Sequence, residues 1–184
     1  MEGTAKGRLI TREDALFVFV DVQDRLMPAV AESGPVTDNA VKLAAFARIA
    51  GIPRVVTEQE KLGATVAVVA EALGPYKPLP KVHFNCFLAE GFREAVEATN
   101  RKTIILCGVE AHICIAQTAI FAVPGYRVHV VADAVSSRAP SNKAVALERM
   151  RQAGAVITST EMVIYELLQR AGTDEFKEAL KLVK

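Results

Sequence analysis

Short apolar, β-branched runs alternate with longer helical segments along most of this chain. The strongest runs are ALFVFVD at 15–21, TIILCG at 103–108 and RVHVVAD at 127–133. The first run is apolar at every position before its final acid, which is typical of a strand covered on both faces. Strands that alternate with helices form βαβ units. The sequence therefore predicts a three-layer α/β fold, with helices on both faces of a six-stranded, mostly parallel sheet.

Weaker signals complete the predicted element order. The other three strands are predicted at RVVT (54–57), KVHF (81–84) and AVIT (155–158). The first helix follows the 15–21 strand and ends at Gly51. Thr158 and Glu161 have capping-box spacing, which predicts the start of another helix. The remaining helices are predicted at 64–73, 89–98, 111–122, 142–154 and 174–183.

Strand order determines where a ligand site can lie. We expect the doubly wound order 3-2-1-4-5-6, in which the crevice lies between the first and fourth strands, beyond their carboxyl ends. Asp21 ends the first strand, and Cys114 lies in the helix after the fourth. That order would therefore bring Asp21 beside the segment that carries Cys114.

Length and charge exclude several classes of protein. At 184 residues the chain is long enough for one domain, predicted to span residues 1–184. Its 22 basic and 21 acidic residues nearly cancel, which predicts neither a nucleic acid partner nor an anionic membrane surface. The start of the chain lacks an apolar signal core, and its three cysteines form no CxxC pair. We therefore expect a cytoplasmic location.

Three residues could form a nucleophilic site, although each has a plainer interpretation. Cys114 near a helix start could be a nucleophile, because helix N-termini stabilise thiolates, or a buried apolar cysteine. Asp21 could be a general base, a metal ligand or a turn residue. Lys81 could be a surface lysine. Together they make chemical sense: the carboxylate accepts the thiol proton, the lysine keeps that carboxylate ionised, and backbone N–H groups at 108–114 hold an oxyanion.

Five segments resemble the isochorismatase-like cysteine hydrolases, a family that includes nicotinamidase and N-carbamoylsarcosine amidohydrolase. The resemblance is strongest to small isochorismatase domain-containing proteins and covers about residues 14–184. The most specific segment is ILCGVEAHICIAQTA, and GVEAHICIAQTA carries most of that specificity. The segments are LFVFVDVQDRL (16–26), RVVTEQEKLGATV (54–66), LPKVHFNCF (79–87), ILCGVEAHICIAQTA (105–119) and VHVVADAVSSR (128–138).

The resemblance implies specific roles for residues of this chain. It implies a catalytic triad of Asp21, Lys81 and Cys114, and a cis peptide bond between Val109 and Glu110. It also implies that the backbone N–H groups of Glu110 and Cys114 hold the oxyanion. Relatives often carry threonine where this chain has Ala111, which leaves the triad intact.

Besides Ala111, a second departure from the family pattern concerns metal binding. Nicotinamidases bind a divalent metal through histidines after the second strand, but that region here reads TEQEKLGAT. The histidines at 83, 112 and 129 lack metal-ligand spacing. We therefore predict no metal, no other cofactor, and a main substrate other than nicotinamide. Isochorismatase proper has no cysteine at the nucleophile position, so Cys114 also argues against simple isochorismate hydrolysis.

Other residues are candidates for the substrate pocket. Gln23 and Asn85 could orient a polar group, or lie in surface turns. Phe19 and Phe84 could form an apolar wall, or belong to the core. His112 is two residues from Cys114 and so faces elsewhere on a helix, which favours the rim of the crevice or an interface.

The combined prediction is a metal-independent cysteine hydrolase that cleaves an amide or carbamoyl-type C–N bond of a small molecule through a thioester. The alternative is an oligomeric binding or interaction protein of the same fold with little or no catalysis. The resemblance also implies self-association as a homo-oligomer.

Overall fold

Six parallel strands form one sheet in the computed structural model, which describes residues 8–184. Their order, β3-β2-β1-β4-β5-β6, confirms the predicted fold class and strand order. The prediction about a signal core falls partly on residues outside the described range. The strands are β1 (Ala15–Val20), β2 (Arg54–Gln59), β3 (Leu79–Lys81), β4 (Thr103–Val109), β5 (Arg127–Ser136) and β6 (Val156–Thr158).

Helices cover both faces of this sheet. The described residues form α1 (Ser33–Ile49), α2 (Ala67–Leu73), α3 (Phe92–Glu97), α4 (Ala116–Ala122), α5 (Pro140–Ala153), α6 (Thr160–Leu168) and α7 (Asp174–Val183). Short 3-10 turns lie at Met27–Ala29 and Cys86–Leu88, and a π-helical turn at Ala111–Ile115 leads into α4.

The alternating side chains of β1 separate two core clusters. Phe17 and Phe19 stack on one face, where α1, α2, α6 and α7 cover them. Leu16, Val18 and Val20 pack on the other face against α3, α4 and α5. Every residue of β1 is buried, as predicted for a central strand with helices on both sides.

The third strand is displaced from its predicted position. KVHF at 81–84 alternates like a strand, but the structure forms β3 at Leu79–Lys81, and the chain then turns away. Val82 and Phe84 are 57% and 52% exposed, so the sheet does not bury either side chain. Pro80 lacks an N–H donor, which an edge strand such as β3 tolerates.

Four helix starts also differ from prediction, and one of them is that of α5, which begins at Pro140 instead of residue 142. The 64–73 helix begins at Ala67, because Thr65 is held by Glu58 and bridges to Gln23. The 89–98 helix begins after Gly91, whose φ of +77° is not helical. The cap of α6 is Ser159 rather than Thr158, because Thr158 is still paired within the sheet.

Candidate active site

The carboxyl ends of β1 and β4 approach each other very closely where the strand order reverses. Val20 pairs with Gly108, and a Cβ on Gly108 would lie 2.0 Å from the Val20 carbonyl oxygen. Gly108 also has a φ of +118°, which favours glycine. The residues that follow the two strands, Asp21 and Glu110, therefore emerge next to each other at the switch point.

Lys81 connects two of the predicted site residues. Its Nζ lies 2.6 Å from Asp21 Oδ2 and donates to Cys114 Sγ at 3.5 Å. A second hydrogen bond of Nζ, of 2.7 Å, runs to Gln59 Oε1. The side chains of Asp21 and Lys81 are 0% exposed. The structure thus brings Asp21, Lys81 and Cys114 together in a buried cluster.

Two further residues hold this cluster, and neither was predicted from the sequence. Thr57 is fully buried and donates its hydroxyl to Asp21 Oδ1 at 2.8 Å, which leaves Oδ2 for Lys81. Gln59, at the end of the same strand, accepts from Lys81. The sequence signal that could have identified them is the position of Thr57 and Gln59 as alternate polar residues at the end of β2, which pairs with β1.

The Cys114 thiol is held in its protonated form. Burial raises its pKa most strongly and the Asp21 carboxylate raises it further, while Lys81 lowers it; the net pKa is about 12. The sequence had suggested that a helix N-terminus would stabilise a thiolate at this position. Burial and the Asp21 carboxylate instead favour the thiol, so the proton must leave when the sulfur reacts.

The turn that carries Cys114 presents backbone donors. The Val109–Glu110 peptide bond is cis, and the π-helical turn begins immediately after Glu110. The Glu110 carbonyl accepts from the N–H groups of Ile113 and Ile115. Within residues 8–184, the Glu110 N–H itself donates no hydrogen bond, so it is available to a ligand.

The loop after β5 holds this turn at two points. Arg138 donates to the Glu110 carboxylate from its backbone N–H at 2.8 Å, and from its guanidinium Nε and Nη2 at 3.1 and 2.7 Å. Ser137 Oγ lies 2.9 Å from His112 Nδ1. Burial alone would raise the pKa of Glu110, but the hydrogen bonds and charge of Arg138 outweigh it and lower the pKa.

The predicted pocket residues have different surroundings. Gln23 is fully buried, and its amide bonds the backbone of Gln59 and Gly63, so it fixes two loops. Asn85 is 7% exposed and caps a 3-10 turn through its side-chain oxygen.

The two phenylalanines of the predicted pocket lie in different places. Phe84 is exposed on the loop after β3. Phe19 lies in the core cluster on the other face of the sheet from the cluster that contains Cys114.

The other cysteines are buried like Cys114. Cys86 lies close enough to Lys81 and Asp21 to feel their charges, and burial raises its pKa to about 11. Its N–H donates to Thr118, one turn after Cys114. Cys107 lies within β4, where burial alone raises the pKa of its thiol.

Residues 8–184 contain neither a candidate metal-binding cluster nor a helix suited to span a membrane. In that range no group of three or more His, Cys, Asp or Glu side chains could hold a metal ion. No helix in the same range is both long and apolar enough to cross a bilayer.

Two curated proteins are similar over nearly the whole chain. The secreted isochorismatase effector Isc1 of Phytophthora sojae is 38% identical over 185 residues, which cover 97% of this chain and 88% of that protein. Isochorismatase domain-containing protein 2 of Danio rerio is also 38% identical, over 182 residues that cover 96% and 90%.

Solved structures share the fold. The structure described as MAR1 ribonuclease from Caenorhabditis elegans is 32% identical with a TM-score of 0.89, covering 96% of this chain and 92% of that one. YcaC from Pseudomonas aeruginosa, with hexane-2,5-diol and covalent acrylamide, is 27% identical with a TM-score of 0.89 and the same coverage. The isochorismatase domain model matches residues 15–162. Together with the identities above, this match shows that the chain belongs to the isochorismatase family.

Proposed function

We propose that this protein is a metal-independent cysteine hydrolase that cleaves an amide or carbamoyl-type C–N bond of a small molecule. The observation that carries the proposal is the buried contact of Lys81 with both Asp21 and Cys114. A buried ion pair is costly to assemble, so its contact with a thiol at the switch point of the sheet favours a chemical role.

The acylation step follows from the protonation states. Cys114 Sγ attacks the carbonyl carbon, and its proton passes to the Asp21 carboxylate, because a thiol with a pKa of about 12 is not ionised at neutral pH. The hydrogen bond from Lys81 to Sγ stabilises the negative charge that forms on sulfur. The carbonyl oxygen becomes an oxyanion that accepts from the N–H groups of Glu110 and Cys114.

The thioester then forms and is hydrolysed. The C–N bond breaks, and the leaving amine takes the proton from Asp21. A water molecule next attacks the thioester carbonyl, and Asp21 accepts a proton from that water. The C–S bond then breaks, the acid product leaves, and Asp21 returns the proton to the sulfur to restore the Cys114 thiol. Lys81 and Thr57 hold Asp21 in place throughout the cycle.

The substrate class rests on the family and on the chemistry of a single thiol. The P. aeruginosa neighbour was solved with covalent acrylamide, a small amide, which makes acrylamide a suitable probe here. The C. elegans neighbour is described as a ribonuclease. The near-zero net charge of this chain favours a small molecule instead, and an RNA oligonucleotide belongs in the substrate panel as a direct test.

We also propose how the protein assembles and where it acts. We expect a homo-oligomer, as the family resemblance implies. We expect it in the cytoplasm, although one similar protein is described as a secreted effector.

The test is mass spectrometry of the protein incubated with small amides, carbamoyl compounds, hydroxamates, acrylamide and RNA. Wild type, Cys114→Ala and the matched control Cys107→Ala, which removes another buried thiol, are compared. A substrate-derived acyl adduct present in wild type and Cys107→Ala but missing from Cys114→Ala supports the proposal. An unmodified Cys114 and no turnover of any compound would favour the binding-protein alternative.

Iodoacetamide alkylation tests the role of Asp21 separately. If Asp21 takes the thiol proton, the rate at Cys114 changes little between pH 6 and 8. In Asp21→Asn only the thiolate can react, so the rate should be lower and rise about tenfold per pH unit. The same steep slope in wild type would contradict a role for Asp21 as the base.

A further inference from the structure

Glu110 carries a buried carboxylate next to the reacting centre. The residue is only 3% exposed, yet its side chain has no part in the acid–base chemistry described above. Both carboxylate oxygens accept from Arg138, through the backbone N–H and the guanidinium. A buried carboxylate is costly unless it is paired and hydrogen-bonded, so this pairing is what allows Glu110 to be buried here.

The pair connects a strand end to the nucleophile turn. Arg138 follows β5, and Glu110 begins the turn that contains Cys114. The guanidinium side of the pair is 61% exposed, so it contributes little to the core. Ser137 contacts His112 within the same turn, which gives the loop after β5 a second point of attachment.

The residue that Arg138 holds also carries a backbone donor of the proposed site. The Glu110 N–H is the unused donor that the proposed reaction directs at the oxyanion. Oxyanion stabilisation depends on donors that are already oriented, and a small misplacement of such a group can cost a large factor in rate. Since the side chain and the N–H belong to one residue, holding the carboxylate limits rotation of the N–H.

We propose that Arg138 is a positioning residue that orients the Glu110 N–H toward the oxyanion through its hydrogen bonds to the Glu110 carboxylate. The inference rests on the proposed function, because it concerns the same site. It assigns Arg138 a role within this chain, at the turn that carries Cys114.

The experiment compares two reactions of the same thiol. With 4-nitrophenyl acetate, Cys114 Sγ bonds to the acetyl carbon, the thiol proton passes to Asp21 and 4-nitrophenolate leaves, so charge develops on the carbonyl oxygen. With iodoacetamide, Sγ bonds to the methylene carbon, the proton again passes to Asp21 and iodide leaves, without an oxyanion. Only acylation should need the Glu110 N–H.

Arg138→Ala should slow acylation of Cys114 by about 10- to 100-fold while alkylation stays within about twofold. Arg138→Lys should slow acylation less than Arg138→Ala does, because lysine keeps the positive charge. It should still be slower than wild type, because lysine lacks the fork of donors. Glu110→Gln keeps an acceptor without a buried charge, so it serves as a second variant if Arg138→Ala fails to fold. Arg151→Ala, which removes an exposed arginine paired with Glu148, is the matched control and should leave both rates unchanged.

Each result separates this inference from the proposed function. If wild-type Cys114 is acylated and Arg138→Ala is acylated equally fast, the positioning role is wrong and the hydrolase proposal stands. If acylation and alkylation fall together in Arg138→Ala and Glu110→Gln, the pair has only a structural role. If wild-type Cys114 reacts with neither reagent, both proposals fail.

Discussion

Replacing Lys81 with methionine tests how the site cluster is held together. Methionine has nearly the length of lysine but no charge, so the change removes the contacts to Asp21, Gln59 and Cys114 without opening a large cavity. The Asp21 carboxylate then stays fully buried, with Thr57 as its remaining side-chain donor. We expect a folded but clearly destabilised protein with no reaction at Cys114.

The size of the loss follows from the geometry. At 2.6 Å, two unit charges attract by about 6 kcal/mol with an effective dielectric constant of 20. Desolvation offsets much of this attraction in the intact pair, but removing one partner exposes the cost of the other, about 3–5 kcal/mol. For a chain of this size, that loss lowers Tm by roughly 6–20 °C.

The stability that the Lys81–Asp21 pair contributes should also depend on pH. Burial opposes the charge on Lys81, but Asp21 and Cys114 outweigh it and raise the pKa of Lys81 above its usual 10.5. The pair's contribution to stability is therefore complete below that value, and it is lost only as the pH rises through the higher pKa of the folded state.

Urea unfolding of wild type, Lys81→Met and the double variant Asp21→Asn/Lys81→Met measures these quantities. The double variant removes both charges, so it should recover most of the stability that the single variant loses. A loss below about 1 kcal/mol in Lys81→Met, or a double variant as unstable as the single one, would refute the reasoning.

Three further changes test other parts of the structure. Burial and Arg127 lower the pKa of His129 from 6.5 to about 4, so the free energy of unfolding should fall by on the order of 3 kcal/mol as the pH drops from 6.5 to 4. Urea unfolding at pH 4.5 and 7.5 measures this fall, which His129→Leu should lack. Gly108→Ala should cost more than about 4 kcal/mol or prevent folding, whereas Gly125→Ala, which meets no atom within 4 Å, should unfold near the wild-type temperature in circular dichroism. Thr57→Val should slow alkylation of Cys114 and cost about 1–3 kcal/mol, with Thr57→Ser restoring both; a valine variant as reactive as wild type would contradict its role.

The fold was predictable because its strongest signals are local and periodic. The continuous apolar run of β1 required cover on both faces, and the alternation of strands and helices required a parallel sheet. The third strand lies elsewhere than predicted, because the apolar residues of KVHF are not buried by the sheet. The local sequence pattern favoured a strand there, but the tertiary structure did not.

The candidate site was predictable only for residues whose chemistry is distinctive. Asp21, Lys81 and Cys114 could be named from residue type, position and family resemblance, and the structure brings them into contact. Thr57 and Gln59 could not, because a threonine and a glutamine in a strand become significant only when the register places them beside Asp21 and Lys81.

The three cysteines show why residue type and burial together do not define a nucleophile. Each thiol is buried, and burial raises the pKa of each one. Among residues 8–184, no charged neighbour affects the pKa of Cys107, whereas Cys114 is hydrogen-bonded by an ammonium that is itself paired with a carboxylate. In the proposed reaction, Cys114 is distinguished by an acceptor for its proton, Asp21 after β1, and by a donor for its developing charge, Lys81 at the end of β3.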